Sequence, residues 1–441
     1  MKIYISGISG TGMGPLALMA ANAGHEVMGS DLTRGAIYDE LVAAGIEVKI
    51  GKQDGGFLRE CLESGVDWFV YTSALAADHP ELVTARAAGV KCTKRDDLTA
   101  FLVEELGLKM VAVAGTHGKT TTTSMIVWAC RELGLPAAYI VGTTLGFAVS
   151  GAYHEGDEFF VYEADEYDRN FLKYHPWLAV MPYVSYDHPD IYPTREDYEV
   201  AFVQFAKQSE RVIMGVDAGG SDGGDDGGAD YGGAGGSGSA GFVVPGSEVL
   251  SGADTRGINL PGVRRDDAAL AVAAIMLMAP GVSREKVVEV MNRYPGVGRR
   301  FERLADGIYT DYAHHPEEIA ATVGMALEQA RLDGKRGVVV VYQPHQNTRQ
   351  HEVRSSYADA FSGVAAVYWL PTYLTRENPE LMVLTPEELS RGLTGVNSVV
   401  TWGEADDALF DEIMRRRDEG DLVVLMTAGP ADGWLRGKLG V

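Results

Sequence analysis

The chain has 441 residues, 46% of them hydrophobic, and a formal net charge of −24. This length exceeds one ordinary core and implies two or three domains, while the acidity excludes a general binder of nucleic acid or of anionic membrane surface. An anionic ligand must therefore be held by local positive devices: helix N-termini, lysine, arginine or a divalent cation.

Lys2–Ser6 alternates as a strand and runs into Gly7, Gly10, Gly12 and Gly14. Leu16–Ala23 is helical, and Glu26–Ser30 is a second strand ending at Asp31, which completes a βαβ unit. Ile46–Ile50, Trp68–Tyr71 and Val90–Lys91 are further strands, so residues 1–105 read as one α/β domain. A second begins at Lys109–Ala114, a buried strand leading through GTHGKT into a helix from Thr121. Strands Phe159–Glu163 and Leu178–Pro182 and a helix over Glu196–Gln208 follow. Gly219–Gly241 contains almost only Gly, Asp, Ser and Ala; such a stretch lacks the apolar surface to order itself and reads as a flexible surface insertion. Helices Asp266–Pro280 and Arg284–Arg293 close this domain, spanning 106–296. The third, 297–441, has strand Ile308–Asp311, helix Pro316–Leu332, strand Val338–Tyr342, helix Val353–Phe361 and strands Ala366–Leu370 and Leu422–Met426.

The N-terminal strand and glycine turn do not read as a signal peptide. The longest apolar run, Ala268–Met278, is too short to span a bilayer, so no membrane insertion is expected. Cys61, Cys92 and Cys130 have no close spacing; this excludes a disulfide framework and a zinc ribbon and fits a reducing, cytoplasmic location.

The first glycine turn departs from GxGxxG, because Pro15 occupies the last glycine position. It still follows a strand and opens a helix, so backbone N–H groups can face a phosphate, and Asp31 can accept a hydroxyl hydrogen bond. The second turn, Gly115-Thr116-His117-Gly118-Lys119-Thr120, suits a nucleoside triphosphate. Small residues let the backbone wrap the phosphates, Lys119 reaches the β/γ oxygens and the Thr120 hydroxyl can ligate Mg²⁺. Val113 stands where the generic P-loop has its first glycine, so this is a short-loop variant. Glu163-Ala164-Asp165-Glu166-Tyr167-Asp168 ends the next strand and offers oxygen ligands for a hard cation, or simply a solvated acidic turn. Asp187-His188-Pro189-Asp190 follows the strand after that. Parallel neighbouring strands would bring both segments to the sheet edge that carries the P-loop. In the third domain Arg299-Arg300-Phe301-Glu302, Asp311-Tyr312-Ala313-His314-His315-Pro316, Gln343-Pro344-His345 and Thr348-Arg349 could together capture an amino acid, arginine on its carboxylate and His or Tyr around its amine.

Taken in order, GTHGKT, EADEYD, DHPDIY, GVGRRFE, DYAHHPEE and QPH resemble the Mur ligase family over nearly the whole chain. The opening ISGISGTGMGPLA and YTSALAADHPEL are similar to members that join L-alanine to UDP-N-acetylmuramate. The resemblance implies an α/β fold of three domains: a Rossmann-like UDP-binding domain, a central P-loop-type ATPase domain and a C-terminal Rossmann-like domain. It implies ATP and Mg²⁺ as cofactors and a monomer or homodimer acting in peptidoglycan precursor synthesis. ATP would be bound by Gly115, Thr116, Gly118, Lys119, Thr120, Thr121, Arg300 and Asp311, and the metal by Thr120, Glu163 and His188. Lys119, Glu166, His117 and Arg300 would be catalytic. Gly10, Thr11, Gly12, Met13, Asp31, Ser73 and Ala74 would hold the UDP substrate, and Tyr312, His314, His345 and Arg349 the amino acid. One departure lies after Leu260-Pro261-Gly262, where Arg264, Arg265, Asp266 and Asp267 replace the polar amides the family uses around adenine; Arg265 could stack on or hydrogen-bond the base.

Three other readings stand beside this one: a recycling ligase that attaches a preformed tripeptide to the same UDP-sugar, a nicotinamide-dependent oxidoreductase built on the first glycine turn, and a non-catalytic nucleotide-binding regulator.

Overall fold

Strands buried on both faces, such as Leu178–Met181 and Leu422–Thr427, are what a parallel sheet covered by helices requires, and three parallel-rich sheets carry the chain. The structure is a computed structural model that describes residues 1–35, 37–72, 75–143, 145–188, 191–215, 248–251, 254–375 and 377–441. The Gly/Asp-rich segment, Ser73, Ala74, Pro189 and Asp190 lie outside the described residues.

The first sheet contains β1 (Lys2–Ser6), β2 (Glu26–Asp31), β3 (Glu47–Ile50), β4 (Trp68–Tyr71) and β5 (Lys91–Lys94) in the order β3-β2-β1-β4-β5. All pairings are parallel, and the strand order reverses at β1, whose carboxyl end carries the first glycine turn. The second sheet contains β6 (Lys109–Val113), β7 (Ala137–Ile140), β8 (Gly151–Ala152), β9 (Phe159–Glu163), β10 (Leu178–Met181), β11 (Arg211–Met214) and β12 (Glu248–Ser251). Its order is β12-β11-β10-β6-β9-β7-β8, so β6 lies between β10 and β9, parallel to both. The third sheet contains β13 (Glu302–Ala305), β14 (Ile308–Asp311), β15 (Val338–Gln343), β16 (Ala366–Trp369), β17 (Val399–Thr401) and β18 (Leu422–Thr427) in the order β13-β14-β18-β15-β16-β17. Only β13 runs antiparallel to its neighbour there.

The chain divides into two units. The first is Met1–Ile258 with Asp266–Pro295, and the second is Asn259–Arg265 with Gly296–Val441. The first two sheets share a unit because they share a core. Leu16, Trp68, Leu98 and Leu102 from the first sheet's side pack in one cluster with Ala138, Phe160, Tyr162 and Tyr174 from the second. Polar ties reinforce it: the Tyr174 hydroxyl donates to Asp96 Oδ1 at 3.1 Å, and Lys173 pairs with Asp97 at 2.8 Å. Gly151 permits a close approach, since a Cβ there would stand 2.4 Å from Pro15 Cβ.

Under the first glycine turn lies a buried polar knot. Glu81, 1% exposed, accepts from Tyr4 and Ser30 hydroxyls on Oε1 (2.7 and 2.6 Å) and from Ser6 on Oε2 (2.6 Å). Gln53 Nε2 adds a bond to Ser30 Oγ at 3.0 Å. Ser6 and Ser30 belong to β1 and β2, so the knot locks the strand ends from which the turn departs. Glu81→Ala should lower the melting temperature of the first unit by about 4 °C or more, because each orphaned buried donor costs about 1–3 kcal/mol. A melting curve superimposable on the parent's would remove Glu81 from this account.

One element differs from the sequence expectation. In place of a helix over Val353–Phe361, a helix runs Asn347–Val353 and a 3₁₀ turn follows at Arg354–Tyr357. The Glu377 carboxylate accepts the N–H groups of Asn347 and Thr348, each at 3.0 Å, and so sets the helix start from thirty residues away.

Candidate active site

The second glycine turn leaves β6 and is shaped by two glycines. Gly118 (φ +81°) precedes the helix Lys119–Leu133, and a Cβ there would stand 2.7 Å from Asp267 Oδ1 and 2.8 Å from Pro182 Cβ. At Gly115 a Cβ would come 2.6 Å from Tyr183 O. Only glycine fits either place. Thr116 stitches the turn to the segment after β10. Its N–H donates to Tyr183 O at 2.7 Å, and its hydroxyl donates to Ser185 O at 2.6 Å while accepting from Ser185 N at 2.9 Å. The His117 ring stacks on Tyr183, centroids 5.6 Å apart. Thr121 is half-buried in the first helical turn.

Lys119 Nζ donates to Gly115 O at 2.6 Å and lies 3.0 and 2.9 Å from the two oxygens of Glu166, a carboxylate only 1% exposed. Burial works against the ammonium, but the charges of Glu166, Asp165 and Glu163 outweigh it and hold Lys119 above the ordinary lysine pKa. Burial likewise works against the Glu166 carboxylate. The Lys119 charge and hydrogen bond, with His188 alongside, prevail and hold it below the ordinary value. Neighbouring Asp165 is pushed up by burial and then by the Glu166 charge. His188 Nε2 stands 3.6 Å from Glu166 Oε1, and its ring meets Tyr167 edge-on at 5.1 Å. The Thr120 hydroxyl donates to Glu163 Oε1 at 2.9 Å; Glu163 Oε2 is buried with no hydrogen-bond partner among the described residues. Lys119 and Thr120 follow β6, Glu163 ends β9 and Glu166 follows it, and His188 follows β10. The three adjacent parallel strands therefore deliver all five side chains to one sheet edge.

At the first glycine turn, Gly10 N–H donates to Gly7 O at 3.1 Å and Met13 N–H to Gly10 O at 3.1 Å. Thr11 is exposed, whereas the Met13 side chain belongs to the core. Asp31 Oδ2 accepts the Ser9 N–H at 2.9 Å, so its carboxylate braces the turn. Sequence reasoning missed Arg95. A Cβ on Gly12 would stand 2.3 Å from its Nη1, and the guanidinium faces Tyr162, Asp96 and Asp165. Arg95 is thus a cation set against the turn, with no motif around it to signal its place.

The second unit gathers its own cluster. Both Asp311 oxygens are taken by backbone, accepting from Phe301 N at 2.6 Å and Ala313 N at 2.7 Å. Burial raises its pKa, against the Arg300 charge and these two bonds. Arg299 is committed structurally, donating to Thr427 O at 2.7 Å, while Arg300 lies over the Tyr312 ring at 5.3 Å. Tyr312 and His314 rings meet edge-on at 5.4 Å, and His314 and His345 at 5.8 Å. Burial lowers the His314 pKa, with Glu318 opposing and Arg349 and Arg300 reinforcing. Tyr312, His314, His345 and Arg349 are thus neighbours. Arg265 pairs with Glu328 Oε1 at 2.6 Å, and Glu328 Oε2 accepts Gly262 N–H at 2.7 Å. In the first unit Asp267 accepts from Thr122 at 3.1 Å and so buttresses the P-loop helix.

Among the described residues the non-glycine residues at positive φ are Asp168, Arg169, His188, Arg299, Phe301 and Gln346. Each lies in or beside one of the motif loops, where backbone strain is held by surrounding structure.

Three family descriptions match the chain in order: "Mur ligase family, catalytic domain" over residues 2–105, "Mur ligase middle domain" over 113–219 and "Mur ligase, glutamate ligase domain" over 299–429. A Roseiflexus sp. protein named UDP-N-acetylmuramate--L-alanine ligase is 33% identical, the match covering 100% of this chain and 98% of that one. A Burkholderia multivorans protein of the same name is 31% identical over 98% of this chain and 96% of its own. In fold, the chain is similar to the crystal structure of UDP-N-acetylmuramate-alanine ligase from Thermotoga maritima, with TM-score 0.72, 20% identity and coverage of 100% and 98%.

Proposed function

The chain belongs to the Mur ligase family, and we propose that it joins L-alanine to the carboxylate of UDP-N-acetylmuramate while ATP becomes ADP and phosphate. The convergence of Lys119, Thr120, Glu163, Glu166 and His188 at one sheet edge carries the ATP-dependent step. The full-length relation to ligases named for L-alanine carries the choice of substrates and favours alanine over a preformed tripeptide.

A muramoyl carboxylate oxygen attacks the γ-phosphorus, ADP leaves, and an acyl phosphate forms. The alanine amine then attacks the acyl carbon, the C–O bond to phosphate breaks, and the amine gives up a proton. The first step needs positioning and charge neutralisation rather than covalent help. Lys119, with Gly115, Thr116, Gly118 and Thr121, is assigned to the ATP phosphates. Glu166 holds the Lys119 ammonium, and His117 flanks the carboxylate that reacts. Arg300 adds a second cation for the phosphates, and Asp311 holds the Arg300 loop in shape. Gly10, Thr11, Gly12 and Asp31 form the turn for the UDP moiety, joined by Arg95; Met13 contributes through backbone alone. Tyr312, His314, His345 and Arg349 receive alanine.

Thr120, Glu163 and His188 are assigned to Mg²⁺. Hydroxyl and carboxylate oxygens suit a hard cation, and the partnerless Glu163 Oε2 supports that use. When bound, Mg²⁺ offsets charge on the phosphoryl group in transfer. Three free cysteines support a reducing, cytoplasmic setting, and the reading extends to a monomer or homodimer.

Phosphate release should require ATP, Mg²⁺, UDP-N-acetylmuramate and L-alanine together, cease with a chelator and return with added Mg²⁺. The product should carry one alanine by mass. A strong preference for tripeptide as acceptor would replace this reading with the recycling ligase, and phosphate release independent of both acceptors would end it.

A further inference from the structure

Beneath the side chains assigned to alanine runs a hydrogen-bond chain through the core of the second unit. Gln350 and Tyr342 are 0% exposed and Tyr357 is 1% exposed. Gln350 Nε2 donates to His345 O at 3.1 Å, and Gln350 Oε1 accepts the Tyr357 hydroxyl at 2.7 Å. The Tyr357 and Tyr342 oxygens are 2.7 Å apart, and the Tyr342 hydroxyl stands 3.3 Å from His314 O. The chain therefore connects the backbone of one assigned histidine to that of the other.

Its proton inventory gives it a direction. Two hydroxyl protons face three contacts. The short bond commits the Tyr357 proton to Gln350, so the Tyr342 proton goes to Tyr357, and His314 O at 3.3 Å remains the weaker alternative. The firm tether thus runs from Tyr342 to the His345 loop. That loop needs one, because Gln346, the next residue, is held at φ +63°. Packing alone does not account for the hydroxyls. Tyr342 and Tyr357 lie edge-on against Trp369 at 4.9 and 5.2 Å, and phenylalanine would fill the same volumes.

We infer that Gln350, Tyr357 and Tyr342 are positioning residues for the amino-acid substrate, setting the His345 imidazole against that of His314. This rests on the proposal that these histidines receive alanine. The two rings stand 5.8 Å apart at 73°, an arrangement that a loosened His345 loop would lose without any change at the phosphate site.

Tyr357→Phe should raise the KM for L-alanine about tenfold, the scale of one lost buried hydrogen bond, and leave the KM for ATP and for UDP-N-acetylmuramate unchanged. Gln350→Met, which cuts the same chain at its other end, should do likewise, and the double variant should add little to either single one. Gln350→Met alone also serves if Tyr357→Phe fails to fold. Tyr368→Phe is the control: it removes a hydroxyl that contacts Glu412 and Arg416 on the opposite face of the same sheet and should leave the alanine KM unmoved. If His345→Ala raises the alanine KM while Tyr357→Phe and Gln350→Met do not, the positioning role is overturned. If His345→Ala leaves it unchanged, the alanine assignment itself falls, and this inference with it.

Discussion

Lys119→Ala should lower the rate of ATP-dependent ligation at saturating substrates by at least about 10²-fold, the scale of losing one preorganised electrostatic contact. The glycines at 115 and 118 bring the loop backbone close, and Lys119 is the cation this loop delivers, held by Gly115 O and Glu166. Its pKa lies above the ordinary lysine value, so it stays charged throughout the working pH range and needs no reorganisation as charge builds on the transferred phosphoryl group. Because the effect falls on the first chemical step, a single-turnover measurement of acyl phosphate formation should show the loss as fully as the steady-state rate does. A variant that ligates at near-parental speed would remove Lys119 from the reaction.

Glu166→Leu should be the most damaging single change to stability at the site. It strands a largely buried ammonium, and breaking such a pair from one side costs roughly 3–5 kcal/mol. Melting of the first unit should then fall by on the order of 10 °C. Asp165 and Glu163 stay close enough to blunt part of this, since both already act on Lys119. The decisive comparison is the double variant Lys119→Met with Glu166→Leu. Removing both members of the pair leaves neither one stranded, so it should melt higher than Glu166→Leu alone. If the double variant is the less stable of the two, the buried pair is not what holds these loops together.

Much of this site was legible in the sequence because it is written locally. A strand, a glycine turn and a helix at Lys109–Leu133 announce a phosphate loop whatever surrounds them; β9 ends at Glu163, the first residue of EADEYD, and β10 ends at Met181, ahead of Asp187 and His188. Partnerships were not legible. Lys119 meets Glu166 across 47 residues, Thr122 meets Asp267 across 145, and Glu81 collects hydroxyls from β1 and β2. Side-chain identity says what each group can bond to, not which distant strand will bring the bond. Structural duties were not legible either. The strand end suggests a hydroxyl acceptor at Asp31 and the family resemblance an ATP-site residue at Asp311; neither tells that both carboxylates also accept backbone N–H groups of the neighbouring turns. The helix expected over Val353–Phe361 was misplaced because its start is set by Glu377, which no local periodicity reveals.

The core shared by the first two sheets bears on how such enzymes can be recombined. Residues 1–105 look like a detachable cassette along the chain, and exchanging them among relatives is an obvious way to build hybrids. Yet Trp68, Leu98 and Leu102 are half of a surface whose other half is Phe160, Tyr162 and Tyr174. A hybrid joined at the linker would bring together two faces selected for different partners. The transferable module is the cassette together with its matching aromatic wall, and a graft that carries only the glycine turn and its strands carries too little.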